Sequence, residues 1–149
     1  MAITQSMATS FKVEILDGLH NFGVGVVRAT TAADTFKIAL YTSAANLDAT
    51  TTAYTTSGEV VGTGYTAGGN TLAVSVVPVS SGTTAYLSFT NSSWSTATIT
   101  ARGAMIYNSS QGDKCVAVLD FGADKVSTAG TFTIVFPTAA AGTAIIQIA

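Results

Sequence analysis

His20, Cys115 and the carboxylates Glu59, Asp113, Asp120 and Asp124 are the side chains in this sequence whose types could do chemistry. A serine or cysteine nucleophile needs a base, and His20 is the only histidine in the 149 residues. No serine stands in a G-x-S-x-G turn, so a hydrolase triad has nothing to build on. His20 instead falls near the end of an apolar-periodic segment, where a cation favours the last turn of a helix. One histidine and one cysteine leave no set with zinc-ligand spacing. Cys115 sits in the alternation "KCVAVLDF" and reads as a small buried residue. "DFGAD" (120–124) matches the metal-binding tripeptide of kinases, yet no phosphate loop, strand lysine or catalytic-loop motif accompanies it. Asp120 and Asp124 read better as turn residues that accept backbone hydrogen bonds, with Lys114 and Lys125 close by. A weak calcium site from Asp113, Asp120 and Asp124 stays open, and no cofactor is expected.

Glu59 is the one charge in "TTSGEVVGTGYTAGG" (55–69). No GK[ST] is present and no helix follows, so both nucleotide-binding fingerprints fail. The glycines read as turn and bulge positions, with Tyr65 anchoring the loop through its ring and hydroxyl. Arg102 is the one charge inside "TITARGAMIYN", and a buried arginine needs an anion. Glu59 and Asp120 are its candidates; a structural Glu59–Arg102 pair is the expectation, with a backbone amide as the other means of holding Glu59. Trp94, the sole tryptophan, reads as a loop residue just before a strand. It suits a sugar-stacking platform, an interface anchor or a cap on the core edge, the last being favoured.

These residues must be positioned by a chain that changes period once. Met7, Phe11, Ile15, Leu19 and Phe22 recur at helical spacing and predict an amphipathic helix over about 6–22, leaving through the glycines of "NFGVG". From residue 34 the period becomes two. "DTFKIALYT", "NTLAVSVVPV", "TAYLSFT", "TATITARGAMIYN", "KCVAVLDFG", "GTFTIVFP" and "TAIIQIA" read as strands, separated by turn chemistry such as "AGGN", "SSGT", "NSSQGD" and "STAG". The expectation is mainly β: an antiparallel β-sandwich or jelly-roll-like domain spanning 1–149, with one N-terminal helix. Pro78 marks an edge or a bulge.

Composition narrows the functions. Charged residues make up 9% of the chain and hydrophobic ones 48%, whereas an ordinary domain is roughly 25% charged. The rest is largely Thr, Ser, Gly and Ala, which gives a neutral surface that is cheap to desolvate. With a net charge of −2 and no basic cluster, phosphate-driven nucleic-acid binding is not expected. No apolar run reaches a membrane span, and "MAITQSMATSFK" does not read as a secretory signal.

The order "TFKIALYTS…AYTTSGEVVGTGYTAGG", then "W…ATITARGAMIYN", then "VAVLDFGADK…GTFTIVFP…AIIQIA", together with the "SFK.E.L.G.H.F" start, resembles a family of small virion-associated structural proteins of tailed bacteriophages. The resemblance covers nearly the whole chain. It implies an all-β, non-enzymatic virion component: first a capsid decoration (cement) protein that binds the major capsid protein on the shell surface, as a homo-oligomer. The alternatives are a tail-tube, neck or adaptor component, or a receptor- or glycan-binding fibre module using Trp94, Tyr54 and Tyr65. Contacts are expected from residues 1–28 and 55–69, with Met7, Phe11, Ile15, Tyr54, Tyr65 and Trp94 as interface candidates.

Overall fold

In the computed structural model, which describes residues 2–16, 18–23 and 33–149, the chain is mainly β, as its alternation predicts. The elements are β1 (Ser6–Met7), α1 (Thr9–Leu16), β2 (Phe36–Tyr41), β3 (Asn70–Leu72), β4 (Val74–Ser81), β5 (Thr84–Phe89), β6 (Ser92–Asn108), β7 (Lys114–Ile134) and β8 (Ile146–Ile148). They form two antiparallel sheets in a sandwich-like arrangement: a five-stranded sheet, β1-β7-β6-β2-β3, and a three-stranded one, β4-β5-β8. The predicted strand "NTLAVSVVPV" divides at Ala73, sending β3 to one sheet and β4 to the other. Pro78 lies in β4, an outer strand whose pairing with β5 slips twice.

The helix is shorter than its apolar period suggested. Ser6 and Met7 pair with Val118 and Ala117 of β7 as β1, and helix begins only at Thr9. It stops at Leu16, and Gly18 turns the chain with φ at 66°. Phe11 and Phe22 are buried, and Met7 and Ile15 pack partly buried against the same core. Sheet pairing, one helix and a loop together bury residues that a single long helix would have aligned. Asp17 and Gly25, which belonged to the expected helix and its exit, lie outside the described residues, as do positions 24–28 of the expected contact segment.

β6 and β7 dominate the larger sheet, and two predicted turns are absorbed into β7. Their register has Ala101 opposite Lys125, but Gly103 opposite Asp120. Only Arg102 therefore faces the four residues Phe121 to Asp124, and "FGAD" bulges out of an otherwise continuous strand. Further along, Trp94 faces Phe132, Ala97 faces Gly130 and Ile99 faces Ser127. Each strand thus takes one extra residue, at positions marked by positive φ: Thr96 at 52° and Ala129 at 47°. The two bulges offset each other, so the ladder resumes. They also reverse which parity points inward, because Trp94 is buried and so are Ala97, Ile99 and Ala101.

One hydrophobic cluster draws on both sheets and α1. An aromatic path joins them: Phe22 stacks on Phe36 of β2 at 4.2 Å, Phe36 lies 5.9 Å from Phe89 of β5, and Phe89 lies 6.0 Å from Phe136. Burying rings of this size is the largest favourable contribution such a core receives.

Candidate functional site: a buried carboxylate held by tyrosines

Residues 42–69 run as a long connection over the larger sheet rather than away from it. Val60 N–H donates to the Leu40 carbonyl and Thr42 N–H to that of Gly58, both at 2.9 Å, which fixes the middle of the loop beside β2. Two approaches require glycine. A Cβ on Gly58 (φ 76°) would sit 2.6 Å from Ala45 Cα, and one on Gly69 (φ 67°) would overlap the Ile38 carbonyl. The glycines that invited a phosphate-loop reading instead let backbone lie on backbone.

Glu59 is thereby carried inward to 8% exposure. Its Oε2 accepts from Tyr54 OH at 2.6 Å, and its Oε1 accepts from Tyr65 OH at 2.6 Å and Gly68 N–H at 2.7 Å. Tyr65 OH also accepts from Leu40 N–H at 3.0 Å. Tyr107 OH donates to the Gly68 carbonyl at 2.8 Å, and its ring stacks on Tyr54 at 4.8 Å. Tyr41 OH donates to the Thr55 carbonyl at 2.6 Å. Loop residues and residues of β2 and β6 are tied into one network around a single anion.

Burial sets the electrostatics. It pushes the phenols of Tyr41, Tyr54 and Tyr65 well above the ordinary tyrosine range, the Glu59 charge adding to the effect. Tyr107 is pushed up to about 12, first by burial, then by Asp113 and Glu59. All four stay protonated at neutral pH and can act only as neutral donors. Charge-assisted hydrogen bonds replace the water that Glu59 gave up. Among the described residues its carboxylate has no ion-pair partner. The arrangement can clamp a loop; with its lone pairs occupied and its neighbours' protons held, it is poorly set for proton transfer.

The expected Glu59–Arg102 pair does not form. Arg102 Nε lies 3.4 Å from Asp120 Oδ1 and its Nη1 lies 3.9 Å from Asp124 Oδ1. It closes the "FGAD" bulge, where Gly122 N–H also donates to Asp120 at 2.9 Å. The reason is register: Arg102 is the lone residue opposite the bulge, while Glu59 faces the tyrosines. Asp120 as an arginine partner and an acceptor of a backbone hydrogen bond agrees with the sequence reading, but it does so in a bulge within β7 rather than at the expected turn. Among the described residues no cluster of three metal-ligating side chains occurs.

Two interface candidates prove to be core. Phe11 is fully buried, and Trp94, at 4% exposure, sits within β6 between Tyr65 and Phe132 rather than in a loop. Neither can meet a partner or a sugar without unfolding. Tyr54 and Tyr65 are half-buried with their hydroxyls committed to Glu59, and Met7 and Ile15 keep partial exposure. His20 Nδ1 lies 3.0 Å from Asn108 Nδ2, which donates to Asp34 Oδ2 at 2.8 Å. Cys115 is buried in β7.

Sequence reasoning missed Tyr41 and Tyr107 as members of the Glu59 network, because they lie on the strands β2 and β6, and only the folding of the loop back over the sheet brings them to it. A signal was present: a solitary acid flanked by Tyr54 and Tyr65 in a stretch without cations has few other ways to be satisfied. Searches against protein-family models, curated proteins and solved structures give no significant match to this chain.

Proposed function

We propose that this chain is a non-enzymatic structural protein of a tailed-phage particle, a decoration protein that binds the major capsid protein on the outer shell. The observation that carries this reading is how charge is distributed. From Val60 to Ala101 and from Val126 to Ala149 there is no Asp, Glu, Lys or Arg. Among the described residues the exposed large hydrophobic ones, Val61, Val77, Val79, Val126, Val135 and Ile148, all fall inside those two stretches. A surface of hydroxyls, small residues and scattered valines loses little on dehydration and suits repeated contact around a symmetric shell. The saturated Glu59 network supports an architectural role, and the resemblance of the segment order to that of small virion proteins suggests the setting.

Val61, at 95% exposure, and Val126, at 68%, line one shallow groove with Thr42, Thr98 and Thr128. That groove is the shell-facing surface in this reading. Truncating the N terminus is a poor test, since Ile3, Ala8 and Phe11 are core. The Val61→Lys variant keeps the core intact and alters no residue of β7. It should fail to co-sediment with purified shells that the wild-type protein saturates in proportion to capsid protein. Equal binding by the variant, or labelling confined to tails, would refute the shell reading.

A further inference from the structure

The sheet edges are treated unequally. Along β6, the free edge is covered by the loop: Thr98 N–H donates to the Thr63 carbonyl at 2.9 Å, and Gly62 and Gly64 press against the backbone of residues 95–98. β4 is protected by Pro78 and by two slips in its pairing. β3 and β8 are three residues each. On the outer side of β7, Tyr54 N–H and Cys115 N–H bond across to Asp113 and Thr52, Ala8 N–H reaches the Val116 carbonyl, and β1 pairs at Ala117 and Val118. Beyond Val118, among the described residues, no strand and no inter-segment backbone hydrogen bond covers that edge as far as Ile134.

The first part of the open edge is guarded. Asp120, Asp124 and Lys125 surround the "FGAD" bulge, and charges with a bulge are the usual means of blocking edge pairing. The second part, Val126–Ile134, has neither charge nor proline. Its single interruption is the bulge at Ala129, after which Gly130–Ile134 runs clean. Beside it lies a groove of about 480 Å³ lined by Phe121, Phe132, Ile134 and Val135 together with Lys125 and Thr133, with Val135 at 71% exposure. An open edge next to a largely apolar groove is the geometry that accepts an added strand, main chain to main chain with side chains in the groove.

We infer that the occupant is a second copy of this chain, β7 pairing with β7 antiparallel about a two-fold axis near Gly130. An antiparallel edge is complementary to itself under that symmetry. The absence of charge from Val126 to Ile134 removes the like-charge penalty that identical strands would otherwise meet. Pairing centred there sets Val126 of one copy against the Ile134 end of the other and joins two five-stranded sheets. The inference does not depend on where in a particle, or whether in a particle, the protein sits.

Sedimentation equilibrium of the full chain across the micromolar range should give a dimer that dissociates on dilution. The Thr131→Lys/Val135→Lys variant, altered at two exposed positions, should be monomeric with an unchanged circular dichroism spectrum. A wild-type monomer throughout, or a dimer that survives the two lysines, overturns the inference. Should that variant not fold, hydrogen exchange on the wild type decides: the amides among Gly130–Ile134 that point away from β6 must lose protection on dilution while Leu40 and Val118 keep theirs. Protection lost only in the β4–β5 hairpin, or gained at β7 only when shells are added, would also overturn self-pairing. Shell co-sedimentation is a separate readout, so the two proposals can fail independently.

Discussion

At the scale of single residues, Glu59 is the most consequential side chain. Removing it leaves two phenols and the Gly68 amide without their acceptor in a buried setting. Glu59→Ala should therefore cost about 3 kcal/mol and Glu59→Gln about 1–2, read from the urea midpoint. Arg102→Ala should cost about 1 kcal/mol or less, since its carboxylate partners are partly exposed. A larger loss for Arg102 than for Glu59 would contradict this ranking. Glycines make a second comparison. Gly69→Ala meets the Ile38 carbonyl at φ 67°, whereas Gly82→Ala at φ 58° has nothing within 4 Å. The first should unfold the protein or lower stability by more than about 3 kcal/mol, and the second should cost about 1.

The elements show how much the sequence disclosed and why it stopped. Period-two alternation located β2, β5 and the paired halves of β6 and β7, because one buried face forces alternation. It misread "FGADK" and "STAG" as the ends of strands. Turn-forming residues serve equally well in a bulge, and local sequence does not say whether the ladder resumes beyond it. Trp94 was displaced into a loop for the same reason, since the bulge at Thr96 breaks the parity that would have joined it to Ile99. At the N terminus a true helical period was satisfied by three kinds of structure, because burial asks only that the side chains reach the core. The tyrosine clamp was half legible: Tyr65 as an anchor was readable from the loop, its carboxylate partner and the roles of Tyr41 and Tyr107 were not. Tyr107 is brought in from β6, distant in sequence, and Tyr41 and Glu59 meet their partners only because the loop folds back over β2, which spacing does not encode.

For the molecule as a whole, the tyrosines set an upper limit to stability in pH. A phenol whose pKa is raised by folding binds its proton more tightly in the native state. Its contribution is intact below the unfolded value of 10.0 and is lost as pH climbs towards the folded value, about 12 for Tyr107. Tyr41, Tyr54 and Tyr65 shift in the same direction. Urea midpoints should be insensitive to tyrosine ionisation near neutrality and fall steeply above about pH 10. Most tyrosinate absorbance should appear together with loss of the native circular dichroism signal. Phenols that ionise freely while the fold persists would count against a buried network.

The pairing of β1 with β7 has a consequence for synthesis. Ser6 and Met7 find their partners only at Val118 and Ala117, so the N terminus leaves the ribosome long before its place in the sheet exists. Until β7 emerges, Phe11 and Phe22 have no finished sheet to cover them. The β6–β7 hairpin, whose strands are near neighbours in sequence, is the natural unit to form first, and the start of the chain docks last. A nascent chain arrested before residue 117 should accordingly be captured by chaperones, and one released a few tens of residues later should resist protease.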